Sequence, residues 1–144
     1  VRKGGVMLDR EIKFRGKAEY YNDWLYGNLV QTREKGAYIF PLDAPDSVDR
    51  YSVLENTVSQ YTGVKDKNGN EVYEGDILLT FTRVYTHKDI EKGIVYKIVW
   101  SHRSSAWILK NSTGGFLFVS SCIASSFEVI GNIYDNPELL EVNR

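Results

Sequence analysis

The sequence predicts a mostly β fold of the β-rich α+β kind, a barrel-like or sandwich core of short antiparallel strands with a short C-terminal helical segment. Three observations carry this. Ten Tyr, six Phe and three Trp stand beside a single Met, an aromatic bias that suits pleated sheet better than helix. Short apolar or alternating runs recur between turn residues along the whole chain, giving about eight to ten candidate strands. No amphipathic helix of about 10 to 15 residues lies between successive strands, which argues against a parallel α/β sheet. With 144 residues and 42% hydrophobic content, the chain has enough for one sizeable core, so a single domain over residues 7–144 is expected. Val1 to Val6 reads as a disordered extension or an expression remnant and is left out of that domain.

In chain order, Glu11 to Arg15 alternates so that Ile12 and Phe14 share one face and Glu11, Lys13 and Arg15 the other. That is an amphipathic strand, ended by Gly16. Trp24 to Val30 is a second strand with Gly27 inside it as a bulge or close backbone approach. Ala37 to Phe40 is a third, stopped by Pro41, and the proline- and aspartate-rich segment from Pro41 to Asp49 is a loop. Val53 to Tyr61 leads into a hairpin, and Ile77 to Val84 continues as a long strand. Thr86 to Lys92 is polar and reads as a connector. Gly93 to Trp100 and Ala106 to Lys110 form a second hairpin across His102-Arg103-Ser104-Ser105. Asn111 to Gly115 is a turn, Phe116 to Val119 a strand, Ser120 to Ser126 a short helical turn and Phe127 to Ile133 the last strand. Asn136 then caps a short helix, Pro137 to Val142, with proline at its first position.

The first hairpin, Val58 to Leu79, is the best-specified stretch. Asp66-Lys67-Asn68-Gly69 suits a type I turn followed by a left-handed glycine. A two-residue turn at Asn68-Gly69 would set Asp66 opposite Glu71, two like charges. The three-residue bulged loop instead pairs Lys65 with Glu71 and Val64 with Val72, and cross-strand chemistry favours it by about 1 kcal/mol. After it, Glu74-Gly75-Asp76 bends the chain.

This stretch, QYTGVKDKNGNEVYEGDIL, resembles the central signature of the YopX-like family of phage and prophage proteins. REIKFRGK (Arg10 to Lys17), the segment Trp24 to Leu29 and FEVIGNIYDNPELLE (Phe127 to Glu141) resemble the same family in the same order. The signature residues are Gln60, Tyr61, Gly63, Asp66, Gly69, Tyr73, Gly75 and Asp76. At Ser59 family members more often carry a small residue such as Gly or Cys. The resemblance implies a phage or prophage setting in a bacterial host and no particular activity.

Charge and cysteine content narrow the classes. Eighteen basic and nineteen acidic residues give a net charge of -1, against a general attraction to nucleic acid or anionic lipid. Residues 1–17 hold six basic and two acidic groups and residues 128–144 four acidic and one basic, so the ends are complementary: they meet, or the basic end is a free arm. One cysteine, Cys122, forms no intramolecular disulfide, and no apolar run reaches the about 18 residues of a membrane span. A cytoplasmic protein without membrane contact is expected.

Each candidate chemistry has a plainer alternative. Asp66, Glu71, Glu74 and Asp76 resemble a carboxylate cluster, yet Asp66 has a turn role, Glu71 faces Lys65, and Glu74 and Asp76 sit at a solvated bend. His87 and His102 lack metal-ligand spacing, and Cys122 reads as a structural thiol without a nucleophile motif. No catalytic residue, metal site or cofactor is expected. The chain is read as a non-enzymatic accessory protein that works by binding or self-association, as a homo-oligomer. The alternative is a β-barrel that binds single-stranded nucleic acid through Tyr96, Lys97, Trp100, Arg103 and Trp107. A hydrolase using the signature carboxylates ranks third.

Overall fold

The computed structural model describes residues 9–43, 49–84 and 90–141, with backbone alone at 82–84 and 90–92. Among these, two antiparallel sheets carry the fold. The first has the order β4-β3-β2-β1-β5-β6, built from β1 (Phe14–Lys17), β2 (Trp24–Thr32), β3 (Gly36–Pro41), β4 (Tyr51–Val53), β5 (Ser59–Lys65) and β6 (Glu71–Tyr73). The second has the order β10-β9-β8-β7-β11, from β7 (Asp76–Val84), β8 (Ile90–Ser101), β9 (Ala106–Lys110), β10 (Phe116–Phe118) and β11 (Phe127–Asn132). Both sheets are open, so of the two architectures left by the sequence the closed barrel is not adopted. No described helix is long and apolar enough to cross a membrane.

Each sheet has its own apolar cluster. Ala37, Ile39 and Val53 fill the first, packed by Phe14, Leu25 and Leu29. Val72, Leu78, Tyr96, Ile98, Leu109, Val119 and Phe127 fill the second. Val72 on β6 thus belongs to the core of the other sheet, which ties the signature hairpin to β7 and β8.

The hairpin has the expected turn. Asp66 accepts a hydrogen bond from the Gly69 N–H at 3.0 Å, its own N–H reaches the Asn70 carbonyl at 2.8 Å, and Gly69 has φ +82°. Lys65 is opposite Glu71 as expected, but the next aligned pair is Tyr61 with Tyr73 rather than Val64 with Val72. Gly63, at φ +89°, inserts a bulge there, a backbone state that suits glycine. The second hairpin forms with Trp100 opposite Trp107 and Ser101 opposite Ala106.

Four other expectations are corrected. Gly16 does not end the first strand but lies inside β1, where an added Cβ would come within 2.8 Å of Val53. Lys13 and Arg15, expected on the polar face of an amphipathic strand, are buried, whereas Ile12 is exposed. The connector expected at Thr86 to Lys92 gives way to β8 from Ile90, and 85–89 lie outside the described residues, as do 44–48 of the expected loop. The helical pieces among the described residues are short 3-10 turns, Glu55–Thr57, Val119–Ser121, Ala124–Ser126 and Pro137–Glu141. Asn136 does not use its side chain on the last of these: its Oδ1 accepts the Asn132 N–H at 3.3 Å, while its carbonyl accepts the Leu139 N–H.

Candidate functional site

The signature carboxylates turn inward. Asp76 is 2% exposed; its Oδ1 meets Arg15 Nη2 at 2.8 Å and its Oδ2 accepts the Tyr73 N–H at 2.8 Å. Burial pushes the Asp76 carboxyl up, against the pull of Arg15 and the Tyr73 N–H. The Arg15 guanidinium lies over both the Trp24 ring (4.7 Å) and the Tyr73 ring (4.9 Å). One buried cation, brought by β1, therefore fastens the bend between β6 and β7. The solvated bend expected from sequence is not what forms.

Asp66 is buried too, and it joins two sheets. Oδ1 accepts the N–H groups of Asn68 and Asn70, each at 2.9 Å, and Oδ2 accepts the Val129 N–H of β11 at 2.9 Å. Burial alone would raise this carboxyl; the N–H groups of Val129, Asn70 and Asn68 outweigh it and hold the group below the ordinary carboxylate range. Glu71, expected to face Lys65, makes its ion pair with Lys13, which also holds Glu11 at 3.0 Å. Glu74 is half-buried, its carboxyl raised by burial, and the charge of His102 acts on it. His102 lies in the exposed turn after β8; His87 lies outside the described residues.

The remaining signature residues hold backbone or ring contacts. The Gln60 carbonyl accepts the Glu74 N–H at 3.0 Å, and Gly75 donates to Ile98 and accepts from Ile133, both at 2.9 Å. Tyr73 stacks edge-on against Tyr26 at 5.4 Å and lies 5.5 Å from Tyr61. Arg15 Nε and Tyr73 Oη are buried without a hydrogen-bond partner among the described residues. A recess of about 300 Å³ opens beside them, lined by Tyr26, Glu71 and Asn132 among others. No group of three His, Cys, Asp or Glu that could hold a metal is found among the described residues.

The residues proposed for nucleic acid divide. Trp100, 38% exposed, meets Trp107 edge-on at 4.9 Å, and Arg103 sits in the exposed turn beyond them. Tyr96 is instead buried in the second core and Lys97 is half-buried on β8. The longest exposed apolar run among the described residues lies beside this hairpin: Phe116, Leu117 and Phe118 of β10 are 57%, 43% and 37% exposed, with Ile123 at 73%. Residues 111–127 contain no charged side chain.

The sequence profile described as YopX protein matches residues 13–141. The chain belongs to the YopX family. Among solved structures, this YopX chain is similar to the crystal structure of protein EF1440 from Enterococcus faecalis, at 24% identity, with a TM-score of 0.54, over 92% of this chain and 99% of that one. The likeness is one of fold. No curated protein matches this chain.

For a YopX chain the geometry explains one departure in the signature: Ser59 is 1% exposed, with its hydroxyl on the Thr57 carbonyl at 3.0 Å, so only a small side chain fits. Three participants were not singled out from sequence. Arg15 and Lys13 carry an alternating pattern that reads as the polar face of an amphipathic strand, and nothing local marks them as partners of Asp76 and Glu71. Asp135, which takes bonds from Lys17 at 2.6 Å and Trp24 Nε1 at 2.8 Å, was legible only as part of the complementary charge of the two ends.

Proposed function

We propose that this YopX chain is a non-enzymatic protein that acts by self-association, in the setting of a phage or prophage accessory protein. The observation that carries the reading is the exposed apolar strand β10 within a stretch free of charge. Contiguous exposed apolar surface is costly to leave in water and marks contacts. The inward commitment of Asp66 and Asp76 supports the non-enzymatic half, since each carboxylate already spends its lone pairs on internal donors. The setting rests on the family resemblance. Sedimentation velocity across a concentration series tests the reading: a species of twice the 16.5 kDa chain or larger is expected at tens of micromolar, and a monomer throughout contradicts it.

A second reading, binding of single-stranded nucleic acid at the Trp100–Trp107 pair, is supported by that exposed ring pair beside Arg103. The burial of Tyr96 and the lack of charge from 111 to 127 count against it.

A further inference from the structure

Resting on the reading that the chain self-associates, we infer that β10 is the contact, pairing antiparallel with β10 of a second copy about a two-fold axis at Leu117. The second sheet of each copy then becomes half of one continuous sheet.

Of the four sheet edges, β6 is three residues long and closed off, with Val72 and Tyr73 0% and 1% exposed and the Tyr73 N–H held by Asp76. The outer side of β4 is covered by the chain at 17–19: Leu54 donates to the Lys17 carbonyl at 2.9 Å and Glu19 to the Ser52 carbonyl at 3.0 Å. The outer side of β11 is covered by the hairpin turn and the C-terminal turn. There Lys67 donates to the Phe127 carbonyl, Val129 to Asp66, and Asn132 to Asn136. On β10, among the described residues, only the Phe118 carbonyl has a contact of this kind, the weak Cys122 thiol at 3.5 Å. Neither proline, charge nor bulge guards this edge, the devices by which sheets avoid pairing with other chains.

Register then fixes how a partner strand would sit. Asn111 donates to the Gly115 carbonyl at 2.9 Å, and Leu117 is opposite Leu109. Because hydrogen-bonded pairs alternate in an antiparallel ladder, the Leu117 N–H and C=O face β9. Those of Phe116 and Phe118 face outward. Turned about an axis through Leu117, a second copy brings Phe116 against Phe118 of the partner subunit twice over, and each such pair exchanges two N–H···O bonds. The strand is thus complementary to itself, as an isologous contact requires. Phe116 and Phe118 share a face, where their rings already meet edge-on at 5.8 Å, so four rings cluster on that side and two Leu117 side chains meet on the other. β10 itself carries no charge, so two copies pair along it without like charges face to face; the nearest charge, Lys110 opposite Phe116, lies one strand further in.

Charge pairing across the axis tests this. L117K alone and L117E alone each set like charges face to face, and the account expects both to sediment as monomers where the wild type associates. Mixed one to one, they should recover the association. Association of either variant alone, or a mixture that stays monomeric, overturns the β10 pairing. A second variant guards against a folding artefact: Phe118 has φ -74°, which proline adopts, and its N–H has no internal partner in this register. F118P should therefore keep the monomer's thermal midpoint and lose the dimer; retention of the dimer overturns the inference. A monomeric wild type instead removes the self-association reading itself, so the two failures are distinct.

Discussion

Arg15 and Asp76 form an ion pair between side chains 7% and 2% exposed, with Nη2 and Oδ1 2.8 Å apart. The pair joins β1 to the bend before β7, and the Arg15 guanidinium lies over the Trp24 and Tyr73 rings. Removing one partner leaves the other charge buried and alone. Asp76→Ala is expected to destabilise the fold by about 3–5 kcal/mol, read as a lower urea midpoint. A loss of less than about 1 kcal/mol would contradict the bracing role.

Tyr73 presents the opposite case. Its hydroxyl is buried and without a hydrogen-bond partner among the described residues, and burial pushes its ionisation upward. Tyr73→Phe removes an unpaired polar group while keeping the ring contacts, so stability should stay within about 1 kcal/mol of wild type or rise. Calorimetry decides this, and a fall of several degrees in the midpoint would show that the hydroxyl has a partner.

At Gly69, φ is +82° and a Cβ would meet nothing within 4 Å. The cost of substitution is therefore backbone strain and not collision. Gly69→Val should lose at least about 1 kcal/mol; an unchanged melting midpoint would remove the bulged-turn geometry.

Acid should loosen the junction of the two ends. Hydrogen bonds from Lys17 and Trp24 bring the Asp135 carboxyl from 3.8 down to about 2. A carboxyl depressed on folding contributes stability that is fully present above its unfolded value and lost as pH falls towards the folded one. Stability should thus decline between about pH 4 and about pH 2. Asp135→Asn should flatten part of that decline. An identical acid profile in the variant would contradict the linkage.

How much of this was legible in the sequence follows from how local each interaction is. The Asp66–Gly69 turn, the pairing of Lys65 with Glu71 and the second hairpin at Trp100 and Trp107 depend on residues a few positions apart, and all three are present. The bulge at Gly63 escaped because a glycine in a strand is equally compatible with plain pairing. Burial of Lys13 and Arg15 escaped for a stronger reason: alternation reports which residues share a face, not whether that face meets solvent or a second sheet. The open edge of β10 likewise depends on what covers the other edges, which no stretch of sequence states.

The uncharged edge also sets the salt response. If β10 pairs with β10, association should be nearly constant between about 50 and 500 mM salt, since screening acts on charges. Binding of a labelled oligonucleotide at the Trp100 hairpin would instead weaken steeply over that range. A titration at two salt concentrations separates them, and salt-sensitive micromolar binding that falls in Trp100→Ala would promote the nucleic-acid reading.

The most direct measurement of self-association through β10 is amide hydrogen exchange at Phe116, Leu117 and Phe118, followed by NMR across a dilution series. Leu117, bonded to β9, should be protected at every concentration. Phe116 and Phe118 should be protected at tens of micromolar and above, and lose that protection on dilution as the copies separate. Exchange of both phenylalanine amides at the rate of an open edge at all concentrations would contradict the account.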